Sequence, residues 1–521
     1  MQRTVRRRTD IVGFGAFYFT TVIVSNRESN MADNPLGQVP ERAERLNKLD
    51  LLRQMGVEPY PYSFPNDNNA AGILSDADRL MESGQEVRVA GRIVSIRGHG
   101  KAAFLHLSDD SGRIQCYVRQ DEVGEDSYRA FKLYDLGDFI GVAGRVFRTK
   151  TGEVSIHIRQ LTLLTKSLLP LPEKYHGLQD VELRYRKRYL DLIANPEVRK
   201  LFLKRTIFAR AMRDFMDGRG FLEVETPCLE LIPGGADAQP FITHHNTLDI
   251  DMYLRISLEL HLKRLIVGGY QKVYEMGRVF RNEGMSPQHL QEFTMMECYW
   301  AYVDYNQLMP FIEEMYTSLL EKTFGGLEVK YQDQVLNFKR PWPRHDYRQL
   351  LLDRTGIDLD HYPTTEALVS KLKEMGIKPD PKLGRGRLID QLYKKFVRPE
   401  LVQPCFLIDH PLDVSPLAKR HLGRPGYVQR FQVLFAGAEV GNGFSELNDP
   451  LDQRQRFEEQ ARLRERGDAE AQMYDRDFVE ALEHGMPPCG GFGVGLDRFF
   501  AIVSNSQSVR EVVFFPTMKP E

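Results

Sequence analysis

The sequence is poor in the features that mark many protein classes. Its five cysteines, Cys116, Cys228, Cys298, Cys405 and Cys489, are scattered over 521 residues with no C-x-x-C pair. That argues against a zinc site or a disulfide framework and fits a reducing compartment. Neither sign of charge is in excess. A formal net charge of −2 implies no nucleic-acid partner, although a local basic face would suffice for one. No internal repeat or low-complexity tract interrupts the chain. The apolar-leaning run Ile11 to Val24 spans 14 residues, too few to cross a bilayer. It follows a basic head as a secretory signal would, but no A-x-A-like site follows it. Residues 1–30 are therefore read as a signal or organellar address, an appendage, or a start assigned too far upstream. The last is favoured, because Met31 opens a polar stretch, "MADNPLGQVPERAERLNKLDLLRQMG", that leads into an amphipathic helix.

Two phosphate-binding devices are also missing. There is no G-x-x-x-x-G-K-[ST], hence no P-loop. "GGFGVGLDR", with Gly491, Gly493 and Gly495, lacks the following βαβ unit and the acid about twenty residues on that a dinucleotide fold needs, with Glu521 the last residue.

What is present is ordinary globular composition, 27% charged and 42% hydrophobic, in a chain long enough for two or three domains. Residues 31–85 read as an N-terminal helical segment. From about 86 to 165, "EVRVAGRIVSI", "FLHLSDDSGRIQCYV", "DFIGVAGRVF" and "GEVSIHI" alternate or run apolar between turn residues. Several short strands in that span predict a small closed barrel of the OB type. Phe104, Gln115 and Glu153 lie near its strands. An aromatic beside an amide and a carboxylate suits stacking an unpaired base and reading its edges. By the residues alone, Phe104 as barrel core and Glu153 as a hairpin-tip charge is the stronger reading.

A proline-punctuated linker, residues 166–180, leads to a second region, 181–521. There a long helix is expected with Leu201, Phe208, Met212 and Phe215 on one face, stopped by Gly218 and Gly220 and followed by a strand ending at Pro227. Residues from about 330 to 400 read as a charged helical insertion. "GRVFRNEGMSPQHLQEFTMMECYW", Gly277 to Trp300, packs Arg281, Glu283, His289, Phe293 and Glu297 into one short span. Arginine grips phosphate oxygens with a planar fork and does not deprotonate. Arg281, with Arg498 opening a helix after the glycines, could hold a triphosphate while Phe293 lies against a purine. A salt bridge, a core phenylalanine and tight glycine packing are the plain alternatives.

These words resemble a known family. "FLEVETPCL" around Pro227, "GRVFRNEG…EFTMME" and "GFGVGLDR" are similar to the three ordered motifs of class II aminoacyl-tRNA synthetases. "ITHHNTLDIDMYLRI" and "GFSELNDP" resemble the lysyl-tRNA synthetases of bacterial type. The likeness runs from about Glu41 to Pro520. It implies an α+β catalytic domain, an antiparallel sheet flanked by helices, preceded by an anticodon-binding OB barrel.

It also implies roles. Arg281 and Arg498 would be catalytic, the first on the α-phosphate and the lysine carboxylate, the second on the γ-phosphate. Glu283, His289 and Phe293 would also contact ATP. Gly235 and Glu259 would take the α-ammonium of lysine, Glu446 and Tyr299 the ε-ammonium, and Glu297 and Asn442 would complete the wall. Phe104, Gln115 and Glu153 would read the anticodon, which reverses the preference stated above. Mg2+ is the implied cofactor, with Glu439 as its ligand. The implied partners are tRNA(Lys), ATP, L-lysine and a second copy in a homodimer, with a cytoplasmic location and no membrane. The reaction would be lysine–tRNA ligation by way of a lysyl-adenylate.

Three departures stand out. The family's "R-H-N-P-E-F" is here Gln288, His289, Leu290, Gln291, Glu292, Phe293. Its "R-F-E" is here Arg430, Phe431, Gln432, which leaves a neutral amide where Mg2+ prefers an anionic oxygen and predicts a weaker requirement at one metal position. "GGADAQPF" carries Asp237 and Gln239 where serine and arginine are common. The alternatives are an aspartyl or asparaginyl specificity, disfavoured by Glu446; a protein-lysylating paralogue, which typically lacks the barrel; and an idle RNA-binding protein on the same fold.

Overall fold

The computed structural model describes residues 40–172, 178–380, 383–468 and 471–520. The readings for residues 1–30 lie outside them. The chain divides into two compact units, Met1–Leu171 and Pro172–Glu521.

In the first unit, β1 (Glu86–His99), β2 (Ala102–Ser108), β3 (Arg113–Arg119), β4 (Phe139–Arg148) and β5 (Val154–Thr165) close into a barrel in the order β1-β2-β3-β5-β4. Alternation makes this possible. In β2 and β3 every second residue is buried, so Ala103, Leu105, Leu107, Ile114, Cys116 and Val118 enter the core while their neighbours face outward. β1 is long enough to pair with β2 at one end and β4 at the other, with a bulge between Ile93 and Ser95 that lets it bend. A helix, Pro40–Gln54, adds Leu52 to the same core.

The second unit is built on an eight-stranded sheet. Its strands are β6 (Leu222–Glu223), β7 (Lys272–Phe280), β8 (Glu292–Ala301), β9 (Arg344–Asp346), β10 (Cys405–Pro411), β11 (Tyr427–Phe435), β12 (Ala438–Ser445) and β13 (Cys489–Gly495). The order is β9-β10-β11-β12-β13-β8-β7-β6. The central pairings are antiparallel, and each edge strand, β6 and β9, pairs in parallel. The antiparallel reading thus describes the middle of the sheet and not its edges.

Helix α1 (Pro196–Gly218) buries Phe208, Met212 and Phe215, as their spacing predicts, and leaves Leu201 partly covered. It packs beside α3 (Tyr305–Phe324), which buries Leu308, Ile312, Met315 and Leu319 against the sheet. The strand expected up to Pro227 is only two residues long. Beyond it, side chains replace the ladder: Thr226 N and Oγ1 donate to Glu275 Oε2 at 3.1 and 2.6 Å.

The region read as helical from about 330 begins instead with strand. Glu328–Tyr331 pairs with Gln334–Asn337 in a hairpin, and β9 joins the main sheet. Here Val329 and Leu336 anchor the hairpin in the central core, so packing overrides the charged composition. Helices then follow, with α4 (Arg385–Phe396) burying Leu388, Ile389 and Leu392 in a separate small core.

Candidate active site

One cavity of about 1260 Å³ opens on the β7–β8–β13–β12 face of the sheet. Gly235, Glu259, Arg281, Glu283, His289, Phe293, Glu297, Tyr299, Glu439, Asn442, Glu446 and Arg498, twelve residues singled out from the sequence, all line it. They come from segments more than 260 residues apart, and sheet register brings them together. Phe293 pairs with Val279, Glu297 and Asn442 each pair with Gly493, and Tyr299 pairs with Gly491.

At one end the cavity is cationic. Arg281 leaves β7 and its Nε donates to Ile256 O at 3.2 Å, which holds the guanidinium over the Phe293 ring, 5.3 Å from the centroid. The loop that follows is pinned at its base: Arg281 N donates to Gln291 O at 2.8 Å and Asn282 N to Gln239 O at 2.7 Å. Arg498 lies in the first turn of α5 (Leu496–Val503), where its Nη1 donates to Glu439 O at 2.8 Å. Burial lowers its pKa, and nearby Glu439 opposes the shift. His289 is pushed down to about 4, first by burial and then by Arg498, Arg398, Arg281 and Lys394. It is neutral at pH 7, with its Nδ1 and Ser286 Oγ 2.7 Å apart. Sequence reading missed Lys394 and Arg398, which line the same cavity from α4 and the turn after it. Arg398 Nε is buried with no hydrogen-bond partner among the described residues. No motif marks them, because they stand in a basic run, "YKKFVR", that reads as a solvated face. Four cations around a neutral imidazole form a site for a polyanion.

At the other end the cavity is anionic. Glu259 opens α2 (Glu259–Val267), Glu297 stands on β8 and Glu446 follows β12. All three are almost fully buried, at 6%, 4% and 1% exposure. Glu297 accepts from Leu258 N at 3.0 Å and from Tyr299 Oη at 3.1 Å, yet burial, reinforced by Glu259, raises it to about 7. Asn442 Oδ1 accepts from Arg430 Nε at 2.8 Å. Glu446 Oε1 is buried and has no hydrogen-bond partner among the described residues. Two glycines make the room. A methyl group on Gly491 would overlap Glu446 Oε1 and the Tyr299 ring, and one on Gly235, whose φ is +85°, would overlap Ser257 Oγ. Lys263, also missed from the sequence, lies between Glu259 and Glu446. Its place four residues after Glu259, the spacing of neighbours on a helix face, was the available signal.

A dedicated metal cage is not built here. Among the described residues no group of three His, Cys, Asp or Glu side chains could hold an ion. Gln432 stands on β11, and its side-chain oxygen accepts from Tyr393 Oη at 3.1 Å. Glu439 and, more weakly, Glu283 set carboxylates near Arg498 among the described residues. That donor set fits a Mg2+ ion bound mainly by nucleotide phosphates and water, the usual habit of this ion. Asp237 is tied to Arg387 of α4 at 3.5 Å, and the Gln239 carbonyl accepts from Asn282 N.

The barrel carries a second cluster. Phe104 is 37% exposed and lies 4.5 Å from the Tyr117 ring, so the reading of it as core is corrected: it sits on an outward position of β2. Gln115 Nε2 donates to Glu153 Oε2 at 2.7 Å, and Ser155 Oγ donates to Gln115 Oε1 at 2.7 Å. Tyr117, Phe147 and His157 extend the aromatic surface beside Phe104. Together they form a stacking platform next to a fixed amide–carboxylate pair.

Comparison with known proteins follows this division. Residues 180–519 match the family of class II tRNA synthetases (D, K and N), and residues 87–164 match the OB-fold nucleic acid binding domain. The chain is 52% identical over 479 residues to the lysine–tRNA ligase of Moorella thermoacetica, covering 92% of this chain and 98% of that one. It is 49% identical over 498 residues to the lysine–tRNA ligase of Thermoanaerobacter pseudethanolicus, covering 95% and 99%. With the lysine–tRNA ligase of Thermotoga maritima the identity is 49% over 486 residues, covering 92% and 96%.

Proposed function

Because the chain belongs to the class II tRNA synthetases of the D, K and N group, we propose that it is a lysine–tRNA ligase. It activates L-lysine with ATP to lysyl-adenylate and transfers the lysyl group to the 3′ end of tRNA(Lys). One observation carries the reading: buried Glu259, Glu297 and Glu446 share a cavity with Arg281, Arg398 and Arg498. Such a cavity takes a dication at one end and a triphosphate at the other.

In the first step a lysine carboxylate oxygen attacks the α-phosphorus, and the bond to the β,γ-pyrophosphate breaks. In this reading Arg281 holds the carboxylate and the α-phosphate together, and Arg498 takes the distal phosphates. Glu283 and His289 line the nucleotide end, and Phe293 offers its ring to the base. Nothing here requires a protein general base, since the attacking group is already an anion. Positioning and charge stabilisation supply the rate. Mg2+ held by the phosphates and Glu439 would neutralise charge on the departing pyrophosphate.

Lysine specificity follows from desolvation. Glu259 and Gly235 face the α-ammonium, Glu446 and Tyr299 the ε-ammonium, and Glu297 and Asn442 close the wall. A neutral side chain would leave a buried carboxylate unpaired, which costs far more than a missing apolar contact. Residues 86–165 form the anticodon-reading domain, with Phe104, Gln115 and Glu153 in contact with unpaired bases, and residues 181–521 form the catalytic domain.

A homodimer is part of the proposal. Leu229 and Ile242 are exposed on the small sheet Leu229–Glu230, Ile242–His245 and Ile250–Leu254, as is Leu248 in its turn and Leu222 on β6. No described helix is long and apolar enough to cross a membrane, and a cytoplasmic location is proposed on the family reading. The test is lysine-dependent ATP–pyrophosphate exchange, with aspartate and asparagine as controls. Exchange with lysine alone is expected. Exchange with either control instead of lysine overturns the specificity, and exchange with none moves the protein to a non-catalytic RNA-binding role.

A further inference from the structure

Lys263 is fully buried on α2, behind the anionic end of the cavity. Its Nζ lies 2.5 Å from Glu259 Oε1 and forms an ion pair with Glu446 Oε2. The Phe444 and Phe478 rings also face it, their centroids 5.3 and 5.9 Å away. One resident ammonium thus bridges the two carboxylates that the functional reading assigns to opposite ends of the lysine substrate.

A buried ammonium is costly, and a chain retains one only where its partners repay the loss of water. Here the repayment has a second effect. Burial pushes up the carboxyls of Glu259 and Glu446, and the Lys263 ammonium is the largest influence opposing it on both. Glu259 and then Glu297 press the same way as burial on Glu446, while Arg430 opposes burial on Glu259. Without Lys263, three carboxyls crowded in one dry cavity would take up protons to relieve their repulsion. A protonated carboxyl cannot pair with an ammonium group. The bridge also fixes geometry: it occupies one oxygen of each carboxylate and leaves Glu446 Oε1 free of any partner among the described residues.

We propose that Lys263 is a positioning residue for substrate selection, which bridges Glu259 and Glu446, offsets their charge and sets their separation so that the pocket accepts an amino acid with an ammonium at each end. The inference rests on the lysine–tRNA ligase reading and goes beyond it, because Lys263 need not touch either substrate.

The test compares the full-length protein with Lys263→Met, which keeps the length of the stem and removes the charge. In lysine-dependent exchange the variant should raise the KM for lysine by roughly 100-fold or more, while the KM for ATP stays within a few-fold. Calorimetric titration with lysine in buffers of different ionisation enthalpy adds a readout that simple loosening would not move. The variant should release more protons per lysine bound than the unmodified chain at the same pH, because the substrate then displaces protons that Lys263 had kept away. An unchanged lysine KM, or equal losses for lysine and ATP, overturns the proposal. If Lys263→Met does not fold, Lys263→Met/Glu446→Gln removes one charge of each sign. It should fold, bind ATP and lose its preference for lysine, and a failure of this double variant to fold assigns Lys263 to packing alone. Inactivity of the unmodified chain with lysine would instead refute the function, which keeps the two failures apart.

Discussion

Tyr299 donates a hydrogen bond of 3.1 Å to Glu297, two residues back along the same strand, while Leu258 N holds the other carboxylate oxygen at 3.0 Å. The pair ties the anionic wall of the cavity to the start of α2. Even so, burial, reinforced by Glu259, pushes the Glu297 carboxyl up to about 7.

This predicts a pH dependence with a definite sign. The folded value lies above the ordinary carboxyl value of 4.5, so the stability this group contributes is full below that value and is lost as pH rises through about 7. Binding of lysine runs the other way, because an ammonium pairs with the carboxylate and not with the acid. The ratio kcat/KM for lysine should therefore rise with pH through a midpoint near 7. Glu297→Gln should remove that rise while lowering the ratio at all pH values. A flat profile in the unmodified chain between about pH 6 and 8 would contradict it.

Gln432 should weaken the dependence on Mg2+ at one position, because its oxygen is neutral and already accepts from Tyr393. Gln432→Glu restores an anionic oxygen and should lower the Mg2+ concentration at half-maximal exchange by several-fold. Glu439→Gln should raise it by about 10-fold or more. Titration of exchange activity with Mg2+ at fixed ATP separates the outcomes, and identical midpoints for all three proteins would rule the assignment out.

Gly491 offers a test of the pocket that leaves charges untouched. An alanine there would place a methyl group against Glu446 Oε1 and 2.5 Å from Tyr299 Cε1. Gly491→Ala should raise the KM for lysine by more than about 10-fold, with ATP binding by calorimetry little changed. Equal affinity for lysine in the two proteins would mean that the cavity beside Glu446 is not the lysine site.

Phe104 should matter to tRNA alone. Loss of one base-stacking ring is worth about 1–3 kcal/mol, so Phe104→Ala should raise the KM for tRNA by roughly 10- to 100-fold. Lysine-dependent exchange, which needs no tRNA, should stay the same. A fall in exchange activity would show that the ring serves the stability of the barrel instead.

Much of this was legible without coordinates because it depends on short-range pattern. The barrel strands follow from period-two alternation, as in Ala103, Leu105 and Leu107, and α1 follows from the spacing of Phe208, Met212 and Phe215. The twelve cavity residues were reached through motifs whose spacing survives in the chain. Local signals failed where packing decided. The charged stretch after residue 330 begins with strand because Val329 and Leu336 reach the central core. The strand toward Pro227 is cut short because side chains of Thr226 and Glu275 take over its hydrogen bonds. Phe104 was ambiguous because an apolar residue in an alternating strand belongs inside or outside according to register alone, and register is a tertiary property.

By itself, then, the sequence singled out residues that line one cavity: arginines, carboxylates and the glycines that make room for them. Only the tertiary structure decided what stands between them. The Lys263 ammonium bridging Glu259 and Glu446 and the Tyr393 hydroxyl on Gln432 join residues up to about 180 positions apart. So does the convergence of Lys394 and Arg398 on His289. Apart from the four-residue spacing of Glu259 and Lys263, no local pattern encodes these contacts, because their energies arise only when the fold removes water from between polar groups that the chain itself holds far apart.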